Sequence, residues 1–197
     1  GIFKAMYKIT PAEFRKAEKF YPLQLEIRLK EEFVKMEFAK DDIQFATPSD
    51  VNDWMELVSL TIDGYPCLNE TEYLENLLQC ITEKRALILR DDDMAIGIMA
   101  FSVGTGSIDF LAVHPQYRNV GIAKLFLDKL MDELFEGKEI SITTFRAGDK
   151  ADTGYRDELY RLGFAERELL TEFGYPTQRF VLPAKHKEKN ENGDVYD

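Results

Sequence analysis

The sequence predicts a mixed α/β fold of the α+β kind, and three stretches carry that expectation. Residues 86–90 and 95–103 are runs of strand formers joined by Asp91-Asp92-Asp93, and Gly104-Thr105-Gly106 turns the chain again. The middle of the chain therefore reads as hairpins. The next run, Ile108-Asp109-Phe110-Leu111-Ala112-Val113, is a strand closed by His114-Pro115. After a short turn, Ile122, Leu125, Phe126, Leu130, Met131 and Leu134 recur at three- and four-residue steps, with Lys124, Asp128, Lys129 and Asp132 between them. That period describes a helix through Leu134 with one face on a core. A further strand at Ile140–Phe145 precedes a helix ending at Leu162-Gly163-Phe164.

The elements before the hairpins follow from caps and breakers. Thr10-Pro11-Ala12-Glu13 sets a capping hydroxyl, a first-turn proline and a capping-box glutamate in order, and Tyr21-Pro22 ends the helix that they start. In residues 23–40 the alternation of Leu23, Leu25, Ile27 and Leu29 suits a strand, but the density of Glu and Lys and the absence of glycine favour a helix. Residues 43–46 read as a first strand. Ser49-Asp50 caps a helix carrying Val51, Trp54, Leu57 and Val58, Asp63-Gly64-Tyr65-Pro66 is a turn, and Glu70–Thr82 is a second helix. Residues 184–197 are charged and poor in apolar side chains, which predicts a disordered tail.

Composition narrows the function classes. A chain of 197 residues, 45% hydrophobic and 12% aromatic, holds one sizeable core and is short for two full domains. The N-terminus carries charges where a signal peptide would be apolar, and no run of about eighteen apolar residues occurs. The expected location is the cytoplasm, with no membrane partner. Acidic residues outnumber basic ones 36 to 25, a formal charge of −11 that repels nucleic acid phosphates. Cys67 and Cys80, with twelve residues between them, fit neither a redox pair nor a zinc site. With His114 and His186 the only histidines and no carboxylates at ligand spacing, no metal is expected.

The turn Arg118-Asn119-Val120-Gly121-Ile122-Ala123 carries the chemistry. It joins a strand to a helix N-terminus, where amide N–H groups lack helical acceptors and the helix dipole adds positive charge; Gly121 and Ala123 leave room for a phosphate. Two other phosphate motifs are excluded. Gly104-x-Gly106 has Asp109 where a dinucleotide fingerprint needs its third glycine and leads into a strand, and no P-loop sequence occurs.

The pattern R-x-x-G-x-A, after a strand ending Val113-His114-Pro115, resembles the pyrophosphate-binding motif of the GNAT superfamily, the acyl-CoA-dependent N-acyltransferases. The hairpin before it, the helix after it, the strand at Ile140–Phe145 and the helix ending Leu162-Gly163-Phe164 fall in the order that this family uses. The resemblance covers about residues 41–183, leaving 1–40 as a helical N-terminal extension and 184–197 as the tail. It implies the GNAT fold: a mixed, mostly antiparallel sheet splayed between its fourth and fifth strands, with helices on both faces. It implies a bacterial-type acetyltransferase of small molecules or peptides, with acetyl-CoA as acyl donor and a primary amine as acceptor. In such a site the backbone at Leu111, Ala112 and Val113 holds the acetyl-pantetheine arm, and Arg118, Asn119, Val120, Gly121, Ile122 and Ala123 surround the pyrophosphate. A homodimer remains an open assembly.

The acid and base stay open at this level. Family members often carry the acid, a tyrosine, four residues before the glycine of L-G-F, and here that position is Leu159. Tyr160 is one residue later and about 100° around a helix; Tyr155 precedes Leu159 by a helical turn. Tyr175, in Phe173-Gly174-Tyr175-Pro176, is a third candidate through a late loop that borders the acceptor pocket in the family. Asp109 shares a strand face with Leu111 and Val113 and is the candidate base, or else an anchor for the acceptor ammonium. Glu168 and Glu172 add negative charge that favours a cationic acceptor. The missing tyrosine and the N-terminal extension leave an alternative, a catalytically weak CoA-ester-binding sensor or scaffold.

Overall fold

The computed structural model describes residues 38–61, 69–135, 137–152, 154–172 and 174–184. The expected helices before residue 38, the turn at Asp63 to Pro66, Cys67 and the tail beyond Ala184 lie outside the described residues.

Seven strands form one sheet in the order β1-β2-β3-β4-β5-β7-β6. They are β1 Gln44–Phe45, β2 Ala86–Asp91, β3 Met94–Ser102, β4 Ser107–Val113, β5 Ile140–Phe145, β6 Ala165–Glu172 and β7 Tyr175–Leu182. Every neighbouring pair is antiparallel except β4 and β5, which run parallel and pair only at Ser107↔Ser141 and Ile108↔Ile142. Beyond Ile108 the two strands have no shared ladder, so the sheet opens into a V. Mixed topology and the splay are the expected GNAT fold.

Helices α1 (Val51–Thr61) and α2 (Glu70–Thr82) cover one face. Trp54, Leu57, Leu77 and Ile81 pack there against Ile88, Ile98, Phe110 and Ala112 in one buried cluster. The other face carries α3 (Ile122–Lys129), which sits so close to β3 that only a glycine fits at position 97. Helix α4 (Tyr155–Arg161) packs near β5 and β7, where the buried Arg156 guanidinium donates to the Phe145 carbonyl and to Gln178 Oε1 and lies 5.0 Å from the Phe180 ring.

Four local expectations need correction. The first strand has only the two residues of β1. The cap before α1 lies earlier than Ser49: Thr47 N–H donates to Asp50 Oδ2 at 2.7 Å, with Pro48 in the first turn of a 3-10 segment, Pro48–Asp50. This is the capping-box arrangement one turn upstream. The long helix does not stay α-helical, because Leu130–Leu134 widens into a π turn closed by Phe135 N–H to the Leu130 carbonyl at 2.7 Å. Phe135 is thereby buried edge-to-face on Phe101, at 5.8 Å between centroids. Tyr175 opens β7 rather than lying in a loop.

Candidate active site

The V between β4 and β5 opens into a cavity of about 900 Å³, within the range of small-molecule sites. Its walls bring together most of the residues singled out in the sequence. Leu111, Ala112 and Val113 line it from the part of β4 that has left β5; Arg118, Asn119, Gly121, Ile122 and Ala123 line it from the turn before α3. Val120 is half-buried and is not part of the wall.

Local conformation explains the turn. Gly121 is the N-cap of α3 with φ +89°, and Asn119 is also left-handed at φ +66°. Glycine adopts such angles without strain, and asparagine tolerates them better than most residues. No side chain caps α3, and no acidic residue occupies its first turn. A Cβ on Gly121 would meet no heavy atom within 4 Å. The helix N-terminus therefore presents first-turn amides, with the exposed Arg118 beside them, to open space. Tyr117, buried before this turn, donates to Asp91 Oδ2 at 2.5 Å and ties it to the β2–β3 hairpin. Burial, and then that bond, push the Tyr117 phenol well above its usual range.

At the other end of the wall stands Asp109, an extra residue in the β3–β4 register, which runs from Ala100↔Phe110 to Phe101↔Ile108. This β-bulge aims its carboxylate. Ser102 Oγ donates to Oδ2 and Ser107 Oγ to Oδ1, both at 2.7 Å, while Arg85 Nη1 lies 3.7 Å from Oδ2. Arg85 is itself paired with Glu83 at 2.6 Å. Helix α2 adds Glu72, Tyr73, Asn76 and the buried Cys80 to the wall. Burial pushes both the Tyr73 phenol and the Cys80 thiol up from their ordinary values.

The three candidate tyrosines separate. Tyr155 and Leu159 both line the cavity, as residues one turn apart on α4 should, and the Tyr155 ring lies 5.9 Å from that of Phe145. Tyr175 also lines it, with its hydroxyl donating to Asp149 Oδ2 at 2.8 Å. Tyr160 does not. Because α4 stays regular, the one-residue offset turns it away from the wall. It packs edge-on against Phe180, 48% exposed, and its hydroxyl donates to Glu166. That bond raises the Tyr160 phenol above its usual range and lowers the Glu166 carboxyl. Glu172 lines the cavity, whereas Glu168 is drawn off to Arg179 at 3.0 Å. Tyr73, Ser102 and Arg85 were not singled out from the sequence. Tyr73 sits at a core-facing helical spacing from Leu77 and Cys80, which conceals a polar role.

With this geometry in view, the family can be stated. The model of the acetyltransferase (GNAT) family matches residues 54–164. The chain belongs to the GNAT acetyltransferases. No curated protein is significantly similar in sequence. Among solved structures, a GNAT-family acetyltransferase from Bacillus cereus is 17% identical with a TM-score of 0.56, over 73% of this chain and 97% of that one. The ribosomal-protein-S18-alanine N-acetyltransferase of Escherichia coli is 19% identical with a TM-score of 0.55, over 79% and 98%. A Salmonella typhimurium acetyltransferase that modifies the N-terminal serine of ribosomal protein L7/L12 is 13% identical with a TM-score of 0.53, over 73% and 94%. At these identities the likeness is one of fold. Among the described residues, no helix is long and apolar enough to cross a membrane, and no group of three or more His, Cys, Asp or Glu is placed to hold a metal ion.

Proposed function

We propose that this GNAT acetyltransferase is an acetyl-CoA-dependent N-acetyltransferase acting on a primary amine. The observation that carries the reading is a single cavity containing both the uncapped α3 N-terminus and the diverging edge of β4. The donor set fits an acyl-CoA: amides and Arg118 suit a pyrophosphate, and the wall of Leu111, Ala112 and Val113 suits an extended arm. The donor supplies an activated thioester carbonyl. The backbone of β4 beyond Ile108 orients it and meets the negative charge that develops on the acyl oxygen.

Asp109 then takes the proton of the attacking amine, directly or through one water. The two seryl hydroxyls fix its orientation and leave carboxylate lone pairs for that task. Tyr155, in the cavity wall one turn before Leu159, is the proposed acid for the departing thiolate, and Tyr175, whose hydroxyl donates to Asp149, is the second candidate. Tyr160 is set aside by its position outside the wall. Glu72, Asp109 and Glu172 in the cavity wall, with Arg85 already paired, favour an acceptor with further positive charge.

The test is a panel of amines, aminosugars, polyamines and peptides with acetyl-CoA, reading free thiol and product mass together. Peptide amines belong in it because two structural neighbours act on ribosomal proteins. Thiol release with an N-acetylated product supports the reading. Tight acetyl-CoA binding without product across the panel favours the second reading, a coenzyme-binding module, for which Leu159 in the family's tyrosine position is the favouring observation.

A further inference from the structure

Tyr73 is held in the cavity wall by two side-chain contacts. Its oxygen accepts the indole N–H of Trp54 at 2.8 Å, and Trp54 is fully buried. Its ring lies against that of Phe110, with centroids 5.0 Å apart and planes at 59°. Phe110 follows the Asp109 bulge on β4, so two packed contacts tie Tyr73 to α1 and to the strand that carries the candidate base. A phenol is both an acceptor and a donor. The acceptor side is used by Trp54, while the O–H finds no acceptor among the described residues. Tyr73 lines the cavity, and burial keeps the phenol protonated across the working range. A largely buried, oriented hydroxyl that has not spent its proton carries a desolvation cost that a ligand oxygen would relieve.

We propose that Tyr73, oriented by Trp54, is the residue by which the acceptor end of the cavity selects amines that also carry a hydrogen-bond-accepting oxygen. This rests on the reading of the cavity as an N-acetyltransferase site and narrows its acceptor: an amino alcohol, an aminosugar or an amino acid amide is favoured over an alkylamine of the same size. Tyr73 is a specificity determinant and takes no proton in the reaction. Trp54 is a positioning residue, because it reaches substrate only through Tyr73.

The experiment compares amine pairs that differ by one oxygen, with acetyl-CoA as donor. The wild type should prefer the oxygenated member in kcat/KM by about tenfold or more, since a site built to hydrogen-bond an oxygen discriminates against the analogue without it. Tyr73→Phe should erase that preference, chiefly by lowering kcat/KM for the oxygenated amine. Trp54→Phe, which retains the hydroxyl but not its orienting bond, should lie between. Trp54 is the only tryptophan in the chain, so its emission gives a readout independent of turnover. With CoA present, the oxygenated amine should shift it and the oxygen-free one should not, and Tyr73→Phe should abolish the shift. Thermal unfolding of each variant separates loss of recognition from loss of fold. Transfer with no oxygen preference, or a preference that survives Tyr73→Phe in a folded protein, overturns the inference and leaves the acetyltransferase reading standing. Transfer to no amine at all overturns that reading, and the inference with it.

Discussion

Gly97→Ala tests how tightly the sheet fixes the Gly121 end of the cavity. Gly97 lies on β3 without a left-handed φ, so its need for glycine is one of space. An added Cβ would lie 2.6 Å from Phe126 Cε2 and 2.9 Å from Ile122 Cγ2. Neither neighbour can swing aside, since Phe126 is 0% and Ile122 1% exposed. The helix must move away from the sheet. Overpacking of this kind costs about 1–3 kcal/mol, and for a chain of this size each kcal/mol lowers Tm by about 2–4 °C, so a fall of about 2–12 °C is expected. Ile122 is also the first residue of α3, directly after Gly121, so the same displacement disturbs the turn that faces the cavity. Acetyl-CoA affinity should fall by at least about threefold if positioning within half an ångström matters there. Differential scanning calorimetry and isothermal titration read the two effects. Gly104→Ala is the control, because a Cβ there meets nothing within 4 Å. A Gly97→Ala protein with wild-type Tm and wild-type affinity would falsify the packing argument.

The other expectations follow from the same geometry. Gly121→Glu should abolish acetyl-CoA binding in a folded protein by placing a carboxylate at the uncapped N-terminus. Gly121→Asn, which tolerates the left-handed angle, should retain measurable binding, and equal affinities would sink the anion-site assignment. Tyr155→Phe should lower kcat by about 10²- to 10⁴-fold with little change in coenzyme affinity, while Tyr160→Phe leaves kcat near wild type; the reverse order would return Tyr160 to the mechanism. Burial holds the His114 imidazole below its ordinary range, against a smaller opposing pull from Glu56. Its neutral Nδ1 accepts from Gln116 N–H at 3.2 Å. Because the folded protein resists taking this proton, stability should fall as pH drops below about 6.5 and level off below the folded value. Denaturant titrations from pH 7 to 5 should show a shallower fall for His114→Asn, which keeps an acceptor but cannot titrate. For a cationic acceptor, kcat/KM should decline as salt rises; a flat profile removes steering by the acidic cavity mouth.

What the sequence disclosed depended on whether a residue's role was local. The hairpin, Glu70–Thr82 and Ile140–Phe145 were legible because each is a periodic run bounded by its own turn or cap. The Arg118–Ala123 turn was legible for the same reason, since a helix starts within it at Ile122. The β6–β7 hairpin was not recognised. Ala-Glu-Arg-Glu-Leu-Leu-Thr-Glu is exposed almost throughout on an edge strand, so burial imposes no alternation for the sequence to display. The π turn escaped because its apolar residues continue the helical spacing that precedes it. Tyr73 and Ser102 were missed for a different reason: their partners, Trp54 and Asp109, lie on other elements, and no spacing within one element records such a contact.

The Asp109 bulge shows how a single residue joins topology to chemistry. Without it, β3 and β4 would continue in register from Ser102↔Ser107 to the strand end. With it, one residue of β4 has no counterpart, and a bulged strand bends and twists more strongly than its neighbours. Pairing with β5 ends at Ile108, the residue immediately before the bulge. The cavity thus begins where β4 changes course, and Asp109 stands at its start, held by a hydroxyl from β3 and another from its own strand. A carboxylate placed by a side-chain rotamer alone could be traded among neighbouring positions. One placed by a bulge cannot, because moving the extra residue would also move the point at which the sheet opens. The position of the candidate base and the position of the cleft are therefore set by the same local event in the backbone.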